Sequence, residues 1–158
     1  MTTGGAERRT VVGGPGRAER RTVVDADGRA KAYRPVAAAE RTAAVIAGLR
    51  AYASGDFFEA HELMEPAWMG TDDPAERDLI QGLIKVAAAD VHAARGNPRG
   101  VVRNLEGARD RVGRVPGGDA IPALELDLPG LLEAIDRRLA NLAADRPTDP
   151  IAITWSQR

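Results

Sequence analysis

Cysteine is absent from this chain, which excludes disulfides, thiolate nucleophiles and cysteine-ligated zinc. Aromatic residues make up only 4%, and histidine occurs twice, so any aromatic or imidazole position carries more weight than usual. No apolar run approaches the roughly 18 residues of a membrane span, and the polar opening Met1-Thr2-Thr3-Gly4-Gly5 does not read as a signal peptide. The expected setting is therefore the cytoplasm, with no membrane partner. What is present, over 158 residues, is enough chain for one domain with a substantial core.

Charge is unevenly spread. Residues 1–34 hold eight Arg or Lys against four acids, a net of +4, while residues 35–158 hold fourteen against nineteen, a net of −5. The first segment is rich in Gly, Arg and Thr and has no Leu, Ile or Phe, so it buries too little surface to offset its ordering entropy. It reads as a flexible, disordered basic arm. Val11-Val12 and Thr22-Val23-Val24 are candidates for short extended pieces, the latter around a turn at Asp27-Gly28. Nucleic-acid contact through this arm is the weakest functional reading, because the acidic body behind it offers no evident phosphate surface.

From Val36 onward the pattern is helical. Val45, Ile46, Leu49, Tyr52 and Ala53 recur at spacings of three and four, which predicts a helix over Val36–Ala53 behind Pro35. Gly55 closes it and Asp56 can cap a second helix, Asp56 to about Trp68, that Pro66 should kink or end near Glu65. Asp73-Pro74 opens a third, to Arg95, whose wide apolar arc predicts a central helix packed on more than one side. Gly96 ends it, and Asn97-Pro98 starts a fourth, to about Val115. Pro116-Gly117-Gly118 and Ile121-Pro122 break the chain before a fifth helix from Pro129 to about Ala144. No convincing strand pattern appears in the body. The fold class expected is all-α, a compact bundle of about five helices over residues 35–145. Residues 146–158 form a C-terminal extension in which Ile151, Ile153 and Trp155 alternate, suiting contact with the domain or a neighbouring subunit.

The run Gly55-Asp56-Phe57-Phe58-Glu59-Ala60-His61-Glu62-Leu63-Met64-Glu65 concentrates the chemistry. Residues three and four apart share a helix face, so Phe58, His61, Glu62 and Glu65 form one stripe, and Phe57, His61, Met64 and Trp68 an overlapping one. Glu59 lies further round, toward water. The third helix supplies a polar line of Gln81, Lys85 and His92, whose ends stand roughly 16 Å apart at about 1.5 Å per residue. One compact site cannot easily hold both ends.

Two chemistries are open to this cluster. His61 with Glu62 or Glu65, plus His92, is a nitrogen and oxygen ligand set for a divalent metal, Zn, Mn or Fe. His61, Glu62 and Glu65 could also divide acid and base roles, since burial can separate the proton affinities of neighbouring carboxyls. Against catalysis, no nucleophile stands out, as Ser54 only ends a helix. The alternative is a hydrogen-bonded network in which Glu59, Trp68, Gln81, Lys85 and Asn97 serve structure or an interface. Lys85 can reach a carboxylate of the second helix, and Asn97 is explained as a cap. The arginines of the fourth helix, Arg99, Arg103, Arg109, Arg111 and Arg114, are diluted by Glu106 and Asp110 and read as a solvated face.

Tyr52 to Glu65 with Trp68, then Leu79-Ile80-Gln81-Gly82-Leu83-Ile84-Lys85-Val86-Ala87-Ala88-Ala89 with His92, then Arg95-Gly96-Asn97, resemble the bacterial and archaeal family known as domain of unknown function 309, over residues 37 to about 115. The resemblance implies a small all-helical domain and brings no established activity. Its characteristic polar positions fall on Glu59, His61, Glu62, Glu65, Trp68, Gln81, His92 and Asn97, while Pro66 and the stretch from Pro98 to Arg103 depart from its pattern. The leading expectation is a structural or protein-interaction domain, with a homo-oligomer as a partner option. A metal-dependent enzyme, a hydrolase for instance, is the alternative.

Overall fold

The structure, a computed structural model, describes residues 22–24 and 30–158. Its body is an all-α bundle of five helices: α1 (Ala38–Ala53), α2 (Phe57–Met69), α3 (Pro74–Ala94), α4 (Pro98–Gly113) and α5 (Leu128–Ala143). The expected disorder of the basic arm, the pair Val11-Val12 and the turn at Asp27-Gly28 lie outside the described residues. Thr22–Val24 (β1) does pair antiparallel with Ala30–Ala32 (β2).

The helix boundaries follow local chemistry. Asp56, Asp73 and Asn97 accept the backbone N–H groups of Glu59, Ala75 and Gly100, which satisfies first-turn donors that have no partner inside the helix. Gly55 and Gly96 take φ of +80° and +67°, the left-handed conformation that stops a helix at little cost in glycine. α1 starts two residues later than its hydrophobic pattern suggests. The preceding strap stays extended, because Arg34 and Val36 donate to the carbonyls of Met69 and Gly70 at 3.2 and 3.1 Å.

α3 is the centre of the bundle, packing against α2 on one side and α4 on the other. Leu79, Ile80, Leu83, Ile84, Val86, Ala87 and Ala89 are all buried, so the wide apolar arc is used almost all the way round. Gly82 lets α4 come close: a Cβ there would stand 2.6 Å from Val112 Cγ2. At the start of α3, Arg41 of α1 grips the buried Glu76 with two nearly parallel contacts, 2.6 and 3.1 Å, and also donates to the Val36 carbonyl. That pair holds the incoming strap against the bundle.

α2 spans Phe57–Met69, in keeping with the expected end near Trp68, and the alternative of an early end near Glu65 does not occur. Pro66 lies on the exposed face of the last turn, where the Glu62 carbonyl deprived of its N–H partner can turn to water. One expectation needs correction, since the body contains strands: Leu124–Leu126 (β3) pairs antiparallel with Trp155–Gln157 (β4). Three-residue strands are too short to show a period of two in sequence, and the partner lies about thirty residues away. α5 correspondingly begins at Leu128, capped by Asp127, one residue ahead of Pro129. Along the C-terminal stretch Ile151 is buried and Ile153 and Trp155 are half-buried against the core.

Candidate functional site

Because Ala60, Met64, Ala67 and Trp68 form the buried face of α2, its other positions are fixed by helical rotation. Glu59 and Glu62 point to solvent, and His61 and Glu65 stand half-buried at the margin. Of the adjacent Phe57 and Phe58, only the first turns toward the bundle. Phe57 packs edge-on against Tyr52 with ring centroids 5.2 Å apart. Phe58 is left 59% exposed, the one large hydrophobic side chain so exposed among the described residues.

Three of the candidate residues come together. One potential ligand atom each from His61, Glu62 and Glu65 lies within 4.8 Å of the others. His61 Nδ1 stands 3.3 Å from Glu62 Oε1, and their side chains are 29% and 53% exposed. A carboxylate only accepts, so Nδ1 carries the hydrogen and the other ring nitrogen, Nε2, keeps its lone pair when the imidazole is neutral. In chemical terms His61 Nε2 is a base or a metal ligand, steadied by Glu62.

His92 is outside that group, and its ring is set the opposite way. Its Nδ1 lies 3.1 Å from Nδ2 of Asn97, whose Oδ1 is already committed to the Gly100 N–H at 3.2 Å. The cap therefore fixes the amide orientation, Asn97 donates, and His92 Nδ1 must accept. Its Nε2 then bears the hydrogen. Gly100 makes room for this ring, as a Cβ there would be 2.4 Å from Nδ1. Both histidines line one cavity of about 160 Å³ between α2, α3 and α4, with Phe58, Ala88, Val91, Arg95 and Asn104. His61 thus meets the His92 end of the α3 polar line, not the Gln81 end. The cavity offers an acceptor from one helix and a donor from the next beside apolar walls.

The remaining candidates have other surroundings. Trp68 is buried in the core, with its indole N–H lacking a hydrogen-bond acceptor among the described residues. Gln81 is buried on α3. Lys85 lays its side chain over Gly107 of α4, where a Cβ would come within 3.0 Å of it. On α4, Arg109 and Arg111 pair with Asp136 and Asp78 at 3.2 and 3.1 Å, which removes two of the five arginines from any free basic surface.

Residues 45–104 match the model of the family described as Domain of unknown function (DUF309). Over that stretch, which is less than half of its length, the chain is similar to this family. The match runs from the middle of α1 into α4, inside the 37–115 span of the sequence resemblance, and it contains the whole cavity and the His61 group. No curated protein and no solved structure matches the chain.

Sequence reasoning passed over a second polar group, the most deeply buried one. Tyr52 donates to Asp90 Oδ2 at 3.0 Å, and Asp90 Oδ1 stands 2.7 Å from Arg138 Nη1 of α5. Arg138 Nε in turn donates to Thr148 Oγ1 at 3.3 Å. Tyr52, Asp90 and Arg138 are 6, 2 and 5% exposed. Burial pushes the Tyr52 phenol far above its usual range, the Asp90 charge and hydrogen bond push the same way, and Arg138 partly opposes them. The available signal was Asp90 itself, the one acidic residue in the apolar second half of α3.

Proposed function

We propose that this helical domain is an interaction domain that docks a second copy of the chain through the α2 face. The observation that carries this reading is Phe58, 59% exposed at the rim of a cavity holding both histidines. An apolar cavity of about 150 Å³ is large enough to take a benzene ring. The 160 Å³ here could therefore receive Phe58 of a neighbour, with His61 and His92 as polar contacts around it. In an isologous pair each copy would do this for the other. The absence of cysteine and of any membrane-crossing helix among the described residues is compatible with work in the cytoplasm. Sedimentation equilibrium tests the reading. A dimer is expected at about 100 µM, as for a contact of micromolar strength, and Phe58→Ser should give a monomer with unchanged Tm. A wild-type monomer at that concentration sinks it.

One observation favours a second reading, a metal-dependent enzyme such as a hydrolase. The close grouping of His61, Glu62 and Glu65 suits a Zn, Mn or Fe ion held by His61 Nε2 and Glu65, with Glu62 holding the imidazole from behind. Such a set leaves coordination positions for water, the nucleophile of metal-assisted hydrolysis. Elemental analysis after native purification decides it: stoichiometric metal lost in both His61→Ala and Glu65→Ala supports this reading, and protein that neither carries nor takes up these metals ends it.

A further inference from the structure

Ala6-Glu7-Arg8-Arg9-Thr10-Val11-Val12 recurs without a change as Ala18-Glu19-Arg20-Arg21-Thr22-Val23-Val24, twelve positions further on. The second copy ends in β1, which shows what the shared Thr-Val-Val does beside a suitable edge: it pairs with β2. β-branched residues favour extended chain, so Thr10-Val11-Val12 carries the same preference. Residues 1–21 lie outside the described residues, and with five arginines against two glutamates they are basic.

One strand of the body has the complementary need. In the β3–β4 ladder the Asp127 N–H donates to the Thr154 carbonyl and the Arg158 N–H to the Ala123 carbonyl. Bonded pairs alternate along an antiparallel ladder, so Glu125 and Ser156 exchange bonds between them, and the backbone groups of Trp155 and Gln157 point away from β3. The outward N–H groups of β3, on Leu124 and Leu126, are taken by the carbonyls of Ile121 and Gly118. Those of Trp155 and Gln157 have no backbone partner among the described residues. β4 thus has a bare outer edge. Its Trp-Ser-Gln contains neither proline nor charge, the usual guards against edge pairing, whereas β2 carries Lys31. Trp155 and Ser156 also line a cavity of about 650 Å³ whose charged lining residues are both acidic, Glu125 and Asp127. Arg158 pairs with Glu125, while the Asp127 side chain accepts from the Gly130 N–H and keeps its charge.

We infer that residues 10–12 add to the outer edge of β4 as a third strand, so that the first copy of the repeat closes on the body while the second closes on β2. Strand addition of this kind draws its affinity from main-chain hydrogen bonds at an exposed edge. Charge favours the same placement, because Arg8 and Arg9 immediately precede the strand and the cavity beside β4 is acidic. The chain is also long enough. Thr22 is the partner of Ala32 across the hairpin, which returns the chain to within two residues of Arg34, bonded to the Met69 carbonyl. From there Arg41 holds the Val36 carbonyl and the Thr42 hydroxyl donates to the Pro122 carbonyl at 2.8 Å, two residues before β3. Residues 13–21 span about 30 Å at roughly 3.3 Å each, enough to cross most of a domain of this size. So short a tether keeps the segment at an effective concentration of about millimolar, which suits a strand of three residues. The surface is separate from the one proposed for a second copy: it uses neither Phe58 nor the His61 cavity.

Amide hydrogen exchange of the full chain, followed residue by residue by NMR, tests the inference. In the wild-type protein the Trp155 and Gln157 amides should exchange slowly, and Val11→Pro combined with Val12→Pro should speed both by about tenfold, the mark of a lost local hydrogen bond. Two adjacent prolines are used because one of two neighbouring N–H groups faces the partner strand. Ser156, bonded to Glu125 inside the ladder, is the internal control and should keep its rate. The rates should also be independent of protein concentration, since the added strand belongs to the same chain. Wild-type and variant rates that coincide at Trp155 and Gln157, an equal acceleration at Ser156, or protection that fades on dilution, as for an edge paired with a second copy, would each overturn the inference.

Discussion

The two polar groups of this domain solve opposite problems. His61, Glu62 and Glu65 stand at the surface of one helix, half in water, and are assembled from residues four apart in sequence. Tyr52, Asp90 and Arg138 come from three helices and are almost wholly enclosed. Water can solvate the first group whenever a contact breaks. For the second there is no such substitute, so each member depends on the others. The group that looks functional in sequence is thus the one with freedom to bind something else, and the group hidden in sequence is the one that fixes how α1, α3 and α5 meet.

Breaking the enclosed group should have the largest effect. Asp90→Ala would leave Arg138 buried without its counter-charge and Tyr52 without its acceptor. Removing one partner of a buried ion pair typically costs about 3–5 kcal/mol, a large share of the roughly 5–15 kcal/mol that holds an ordinary domain together. Urea denaturation should show this as a lowered midpoint with little change in slope. A loss below about 1 kcal/mol, the scale of a surface pair, would mean that the network is far more hydrated than its burial indicates.

How much of each region could be read in advance follows from the range of the forces that build it. Asp56, Asp73 and Asn97 are legible as caps because a cap bonds within three residues of itself, and the glycines at 55 and 96 are legible because a φ near +70° is a local demand. The His61 group is legible for the same reason, being one helix face. Arg138 lies 48 positions from Asp90, and β3 pairs with a strand about thirty residues on, so neither partnership leaves a periodic trace. His92 falls between these cases. Its cap partner Asn97 is local, but that the cap also dictates the ring's tautomer emerges only once the 3.1 Å contact is known.

A smaller effect, with a pH signature, comes from Tyr52. Its phenol titrates higher in the folded protein than in the unfolded chain, because burial and Asp90 disfavour the phenolate. The associated stability is complete below the unfolded tyrosine value of about 10 and is lost as pH rises above it. Between about pH 10 and 11.5 the slope should approach 1.4 kcal/mol per unit from this residue alone. Tyr52→Phe should cost about 1–3 kcal/mol at pH 7, since Asp90 loses a buried donor, and the gap to wild type should narrow as pH climbs. Parallel stability curves for the two proteins across that range would show that the phenol does not ionise on unfolding.

The smallest effect sharpens the comparison from the open side. His61→Ala removes a half-exposed ring whose hydrogen-bonded partner, Glu62, is itself more than half in water at 3.3 Å. Exposed ion pairs contribute about 0–1 kcal/mol, and Ala favours helix more than His by a few tenths, so the two terms nearly cancel. The Tm should move by less than about 2 °C, while any association through the Phe58 cavity, or any metal held with Glu65, should be lost. A variant that binds normally but melts many degrees lower would reverse the assignment: His61 would then belong with Asp90 among the residues that hold the helices together, and the contrast between an open group and an enclosed one would disappear.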